Sequence, residues 1–280
     1  MHALKEIKAL SLPQNEPFYY HYPAMKQGHL PAVDFFAQFL GAKALEILTK
    51  DRNEHKNKKK WLITTPAYYQ LPAAANLLAR KVHNILTGKG FTTSLTELRL
   101  NTQSMLESAK QEYSKSTLKQ RINARQHIQQ LLSNDLALHF KGKSVLVIND
   151  INVTGTQQNF IQKTLNAFGA KEVQWLYIFN LDKELAKSNP EIEYQLNNCC
   201  LNDLDSYIKI ITDHKTQHTA RCIERFFNQD INNFHYLVNE IGSNIRKKLY
   251  WLAQIEVKYN GNFYAEKMKI LANSINASTT

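Results

Sequence analysis

Ser144-Val145-Leu146-Val147-Ile148-Asn149-Asp150-Ile151-Asn152-Val153-Thr154-Gly155-Thr156-Gln157 reads as a buried strand, a turn of phosphate size and the start of a helix. Four consecutive apolar residues suit a central parallel strand covered on both faces. Asp150 falls at the carboxyl end of that strand, where open α/β sheets hold their ligands. Gly155 lets the backbone approach an anion, and the hydroxyls of Thr154 and Thr156 can donate to phosphate oxygens. The free N–H groups opening a helix over 157–168 add a favourable dipole. The same residues also admit a structural reading, since strand, glycine turn and helix make up any βα unit and an Asp at a strand end often caps or turns.

Working outward, Lys60-Trp61-Leu62-Ile63-Thr64-Thr65-Pro66 is a second apolar run, followed by Ala67-Tyr68-Tyr69-Gln70-Leu71 and a helix expected over Pro72 to Thr87. Pro72 suits a first helical turn, and Ala73, Ala74, Ala75, Leu77, Leu78, Ala79 and Val82 give it an apolar surface. A strand is expected over Leu95 to Leu100, then a long polar loop over Asn101 to Lys119. Ala170 to Asn180, rich in β-branched and aromatic residues, predicts a further strand after Gly169. Three βα-type units in series predict an α/β fold, a mainly parallel sheet with flanking helices over 60–185. Such connections bring the Thr65, Asp150 and Thr154 regions to one sheet edge.

The 144–157 run resembles the 5-phosphoribosyl-1-pyrophosphate (PRPP) signature of the type I phosphoribosyltransferases, in which an apolar strand ends in two acidic residues before Thr-Gly-Thr or a close variant. Here Asn149 stands at the first acidic position and Asp150 at the second. The resemblance implies transfer of a 5-phosphoribosyl group from PRPP to a nitrogenous base or amine, with diphosphate released and Asp150 as the catalytic acidic residue. It implies that Asn149 and Asp150 hold the ribose hydroxyls and that Val153, Thr154, Gly155, Thr156 and Gln157 wrap the 5′-phosphate. Thr65, Pro66, Ala67 and Tyr68 would lie against the diphosphate, although Tyr68 and Tyr69 read equally as packing residues. Asn101 to Lys119 takes the place of the family's flexible hood, and Lys115 and Arg121 would supply cations, the alternative being a solvated basic connector. Arg99, Gln103, Arg121 and Asn123 resemble the pattern of the competence-associated branch. Mg²⁺ would arrive with PRPP, held chiefly by ligand oxygens and water.

Residues 1–59 are expected to form a helical N-terminal segment packing on the core, with an amphipathic helix over Pro31 to Lys50. Residues 186–280 repeat a helical spacing from Leu204 onward and predict a helical C-terminal region, a hood or partner surface. With 280 residues, 43% of them apolar, the chain can bury a sizeable core. No apolar run approaches a membrane span and Met1 to Lys8 has no signal core, so a cytoplasmic protein without a membrane partner is expected. Cys199, Cys200 and Cys222 lack zinc spacing and read as ordinary thiols. His214 and His218 have the i, i+4 spacing that can join on one helix face, but with no Glu of a zinc-protease motif they read as a surface pair, and no metal site is expected. The sequence has no nucleophile elbow, and Gly142-Lys143-Ser144 precedes a strand, the wrong context for a nucleotide loop.

Two other functions compete with transfer. Asn149 and the weakly cationic Thr65–Leu71 loop favour a PRPP- or nucleotide-binding regulator without turnover. A formal charge of +11 and a pI near 9.4, with basic clusters at Lys56 to Lys60 and Arg246 to Lys248, would suit nucleic acid as a less favoured partner. The acceptor and the oligomeric state, a homodimer included, are left open.

Overall fold

Every strand among the described residues runs in the same direction, which forces each connection to cross over the sheet and leaves all the carboxyl ends at one edge. The computed structural model describes residues 1–9, 16–54, 60–99, 134–189, 191–201 and 203–276. In chain order come β1 (His2–Ile7), α1 (Pro17–Gln27), α2 (Leu30–Glu54), β2 (Trp61–Thr64), α3 (Ala74–Gly88), β3 (Thr93–Leu95), α4 (Asn134–Phe140), β4 (Ser144–Asn152), α5 (Thr156–Ala167) and β5 (Glu172–Leu181). The sheet order is β1-β5-β4-β2-β3, with β4 central.

Side chains alternate across this sheet with the period of two that a pleated strand imposes. Trp61, Ile63, Leu146, Ile148, Leu176 and Ile178 face a core shared with α1, α2 and α3, where Tyr22, Phe36, Leu40, Leu78 and Val82 are fully buried. Leu62, Val145, Val147, Trp175 and Tyr177 face the opposite core, closed by Phe140 of α4 and by Ile161 and Leu165 of α5. Burial on both faces is why β4 reads as a continuous apolar run. The expected α/β architecture with a parallel sheet is therefore what forms.

Several elements differ from the sequence reading. No strand is expected before Lys60, yet His2–Ile7 pairs in parallel with β5, His2 opposite Leu176 and Ile7 opposite Leu181. Ala, Leu, Lys and Glu in this segment favour helix intrinsically, and an edge strand with one partner carries little apolar signal; pairing with β5 overrides propensity. The third strand lies at Thr93–Leu95 and not over the expected Leu95 to Leu100, although beyond it Thr96 N–H still donates to Ile63 O and an isolated parallel bridge joins Tyr68 and Arg99. Pro72 stands before α3, whose N-cap is Ala73, because the chain is held extended there by contacts described below. The expected loop over 101–119 lies outside the described residues, as do Lys115 and Arg121.

After β5 the chain is helical: α6 (Lys183–Ser188), α7 (Ile192–Asn198), α8 (Leu204–Thr212), α9 (Ala220–Phe227), α10 (Ile231–Glu240), α11 (Ser243–Ile255) and α12 (Ala265–Asn276). Asp203, Thr219 and Asp230 cap α8, α9 and α10, each accepting a backbone N–H of the first turn. Tyr207, Phe226, Phe227, Phe234, Leu249 and Tyr259 build a separate aromatic-rich core, and Leu71 from the loop after β2 packs into it. Two further links fix this unit to the sheet. The buried Glu256 carboxylate accepts the N–H groups of Leu71 (2.7 Å) and Gln70 (3.3 Å), and Ala220 N–H donates to Pro72 O at 3.0 Å.

His214 and His218 do not form the expected surface pair on a helix: both lie in the segment between α8 and α9, and His218 is buried, its Nε2 2.9 Å from Ile211 O. Burial first, and the nearby Lys248 ammonium second, push its pKa down to about 4. The folded state thus keeps a neutral imidazole over a range in which the unfolded chain binds a proton. Stability is complete above the ordinary histidine value and falls as pH drops from there toward about 4. The lost amount is on the order of 3 kcal/mol, so His218→Gln is expected to flatten the acid limb of a urea-unfolding profile measured against pH. Glu256→Ala, which strands two backbone donors, is expected to lower unfolding stability by about 2 kcal/mol. Glu256→Gln keeps an acceptor and should cost less. Burial raises the Glu256 pKa against the opposing pull of the Leu71 N–H, so its ionisation disfavours folding. The Gln variant should therefore gain on the parent as pH rises above the ordinary Glu value.

Candidate functional site

The loop between β4 and α5 opens at the carboxyl edge of the central strand, with Thr154 exposed and its neighbours half-buried. Gly155 adopts φ +72°, a conformation that L side chains enter only with strain, while the space around its Cα is open. Backbone geometry, and not crowding, requires glycine here. The Gly155 N–H donates to Asn152 Oδ1 at 3.1 Å, and Thr154 Oγ1 and Thr156 Oγ1 share a 2.8 Å hydrogen bond. The Thr156 N–H is 3.4 Å from Thr154 Oγ1. Among the described residues no acceptor is found for the N–H groups of Val153, Thr154 or Gln157. Unused donors, two hydroxyls and the N-terminus of a twelve-residue helix thus surround one solvent-facing turn.

Asn152, which shapes this turn, is itself held from across the sheet. Its Nδ2 donates to Asn180 Oδ1 of β5 at 2.7 Å, and Asn180 Nδ2 donates to Glu6 Oε2 of β1 at 2.7 Å. Three neighbouring strands are thereby linked to the phosphate-sized loop, which gives the unanticipated first strand a role in the site.

Asn149 and Asp150 diverge to opposite faces of β4. Asn149 Nδ2 donates to Gln157 Oε1 at 3.1 Å and to Ile151 O at 3.3 Å, and its Oδ1 accepts the Asp150 N–H at 2.9 Å. Asp150 turns toward α1, where its Oδ2 forms an ion pair with Lys26 Nζ and accepts the Tyr22 hydroxyl at 3.2 Å. Its Oδ1 accepts the Ile151 N–H at 3.0 Å. Burial alone would raise the Asp150 pKa, but the Lys26 ammonium and the backbone N–H donors outweigh it and hold the carboxyl below its usual range. Three bonds are taken of roughly four a carboxylate accepts, which leaves capacity on Oδ1.

β2 ends beside β4, with Thr64 opposite Val147, so the loop from Thr65 lies next to the β4 loop. Its polar side chains are largely committed. Thr65 is buried, its Oγ1 accepting Asn76 Nδ2 at 2.7 Å and donating to Pro66 O at 3.1 Å. Tyr68 is buried too; its hydroxyl donates to Glu97 Oε2 at 2.6 Å and accepts from Arg99 Nε at 3.0 Å. Glu97 also pairs with Arg80. Pro66 and Ala67 are half-buried. Arg99, with a largely exposed guanidinium, borders this loop through its bond to the Tyr68 hydroxyl.

Sequence reasoning missed Tyr22 and Lys26. They stand four residues apart, on one face of α1, in a segment with no motif, so no local signal marks them. Among the described residues no three or more His, Cys, Asp or Glu side chains converge where a metal ion could be held. A magnesium ion here would therefore have to keep most of its ligands from water or a bound molecule, as that ion commonly does.

Compared with known proteins, the chain matches the family model described as PRTase ComF-like over residues 36–271. That match extends well beyond the 60–185 core on which the sequence resemblance rests, taking in α2 and most of the C-terminal helices. No curated protein matches the chain. The parallel sheet, the glycine turn after its central strand and the family match over most of the chain agree: this chain belongs to the phosphoribosyltransferase family, in its ComF-like branch.

Proposed function

We propose that this protein binds a 5-phosphoribosyl ligand, PRPP or a nucleotide, and transfers its phosphoribosyl group to a nitrogenous base or amine with release of diphosphate. The observation that carries the reading is the open β4–α5 turn, where the N–H groups of Val153, Thr154 and Gln157 have no acceptor among the described residues. A dianionic phosphate receives these donors, the hydroxyls of Thr154 and Thr156 and the positive end of α5. Asp150 Oδ1 borders the ribose, and the half-buried Pro66 and Ala67 flank the diphosphate, with the exposed Arg99 beside Tyr68 as a described cation for it. Lys115 and Arg121 belong to the same reading.

In this reaction the residues mainly orient and neutralise. The phosphate grip fixes the ribose so that a nitrogen nucleophile reaches C1 as diphosphate departs, and orientation of this kind carries much of a displacement's rate. Magnesium bound to the diphosphate would supply charge neutralisation on the leaving group.

A second reading has its own support: a regulator that binds the same ligand without turnover. Asn149 lacks the charge of the family's first acidic position, and the hydroxyls of Thr65 and Tyr68 are already bonded within the protein. Calorimetric titration with PRPP and Mg²⁺, followed by diphosphate release across bases and amines, separates the two. Release on any acceptor supports transfer, and binding without release supports the regulator. Absence of PRPP and nucleotide binding, with salt-sensitive nucleic-acid binding in its place, would reject both. Gly155→Val, which forces a β-branched residue to positive φ, is expected to weaken PRPP binding by about tenfold or more. Unchanged affinity in a folded Gly155→Val variant would remove this turn from the site.

A further inference from the structure

We propose that Lys26 is a positioning residue that serves as the built-in counter-charge of Asp150, so that the sugar-phosphate end of the ligand binds without a divalent cation. This rests on the phosphoribosyl reading of the β4–α5 turn. Two acidic residues beside a phosphate dianion would repel it, and a metal ion is one way to offset such repulsion. Here Asn149 removes one of the two charges. The other is paired inside the protein: Lys26 Nζ and the Tyr22 hydroxyl both engage Asp150 Oδ2, and both members of the ion pair are nine-tenths buried or close to it. The Asp150 carboxylate therefore meets an arriving phosphate already paired, while the Glu6 carboxylate stands two strands away, held by Asn180.

Lys26 is rigidly placed for this task. Its own carbonyl accepts Thr219 Oγ1 at 2.6 Å, and the helix that carries it ends at Gly28, φ +93°. A Cβ at Gly28 would stand 2.0 Å from Gln217 O, so only glycine allows α1 to close against the segment leading into α9. Gln217 N–H donates to Gly28 O at 3.0 Å and Leu30 N–H to Lys215 O at 3.0 Å, completing the lock. The backbone that carries the cation is thus anchored before any ligand arrives, and Asp150 Oδ1, which accepts the Ile151 N–H, keeps acceptor capacity for a ligand hydroxyl.

Ribose 5-phosphate, which has no diphosphate to carry a metal, is the probe. Binding is titrated with excess Mg²⁺ and with excess EDTA at alkaline pH, where an unpaired Asp150 ionises despite burial. The wild-type affinity is expected to agree within about twofold between the two conditions. Lys26→Met should weaken EDTA binding by about tenfold or more and recover part of it with Mg²⁺, because the charge of Asp150 is then uncompensated. Lys26→Met combined with Asp150→Asn should return to within about threefold of Asp150→Asn alone and lose the metal dependence. Should Lys26→Met fail to fold, the comparison of the neutral double variant with Asp150→Asn still decides. Strong metal dependence in the wild type, unchanged binding by a folded Lys26→Met, or a double variant much weaker than Asp150→Asn each overturns the assignment. Failure of the wild type to bind either ribose 5-phosphate or PRPP under any condition overturns the phosphate-site reading itself.

Discussion

The ion pair between Lys26 and Asp150 joins the first helix to the end of the central strand, and the rest of the site is arranged around it. A buried carboxylate without a partner is costly, and breaking such a pair by removing one side typically costs about 3–5 kcal/mol. Strand alternation turns Asp150 to the face of Leu146 and Ile148, and Lys26 supplies the partner that makes a charge tolerable there. Once Asp150 points into the α1 face, Asn149 is left to the α5 face, where it bonds to Gln157 at the mouth of the loop. The two residues that a motif places side by side serve opposite sides of the sheet.

Around this pair the architecture is a division of labour between layers. The sheet carries two cores of alternating side chains, and the C-terminal helices carry a third of their own. The loop after β2 joins them: Leu71 enters the third core, while Glu256 accepts two of the loop's backbone N–H groups. The C-terminal helices thus hold a loop that borders the candidate site. The loop after β4 is anchored differently, through Asn152, Asn180 and Glu6 across three strands. Both loops are held from behind, while the donors of the β4 turn face outward.

Much of this was legible in the residues. The apolar runs at 61–64, 145–148 and 175–179 mark strands because burial on both faces leaves no room for polar alternation. Gly155 and the residues after it mark a tight turn into a helix, and the turn adopts the positive φ that glycine permits. The edge strand β1 was not legible, since its composition favours helix and only hydrogen bonding to β5 makes it extended. The shift of β3 has a similar origin: its pairing with β2, Trp61 opposite Thr93, selects three residues from a longer ambiguous stretch.

The sequence alone determined the phosphate-sized turn and the parallel βα units that carry it, because strand burial, glycine conformation and helix initiation are properties of neighbouring residues. The tertiary structure decided what becomes of the charge on Asp150 and of the amides of Gln70 and Leu71. Their partners, Lys26 and Glu256, lie 124 residues before Asp150 and 185 residues beyond Leu71. Contacts over such separations arise from how helices pack on the sheet, and no local pattern of residues encodes them.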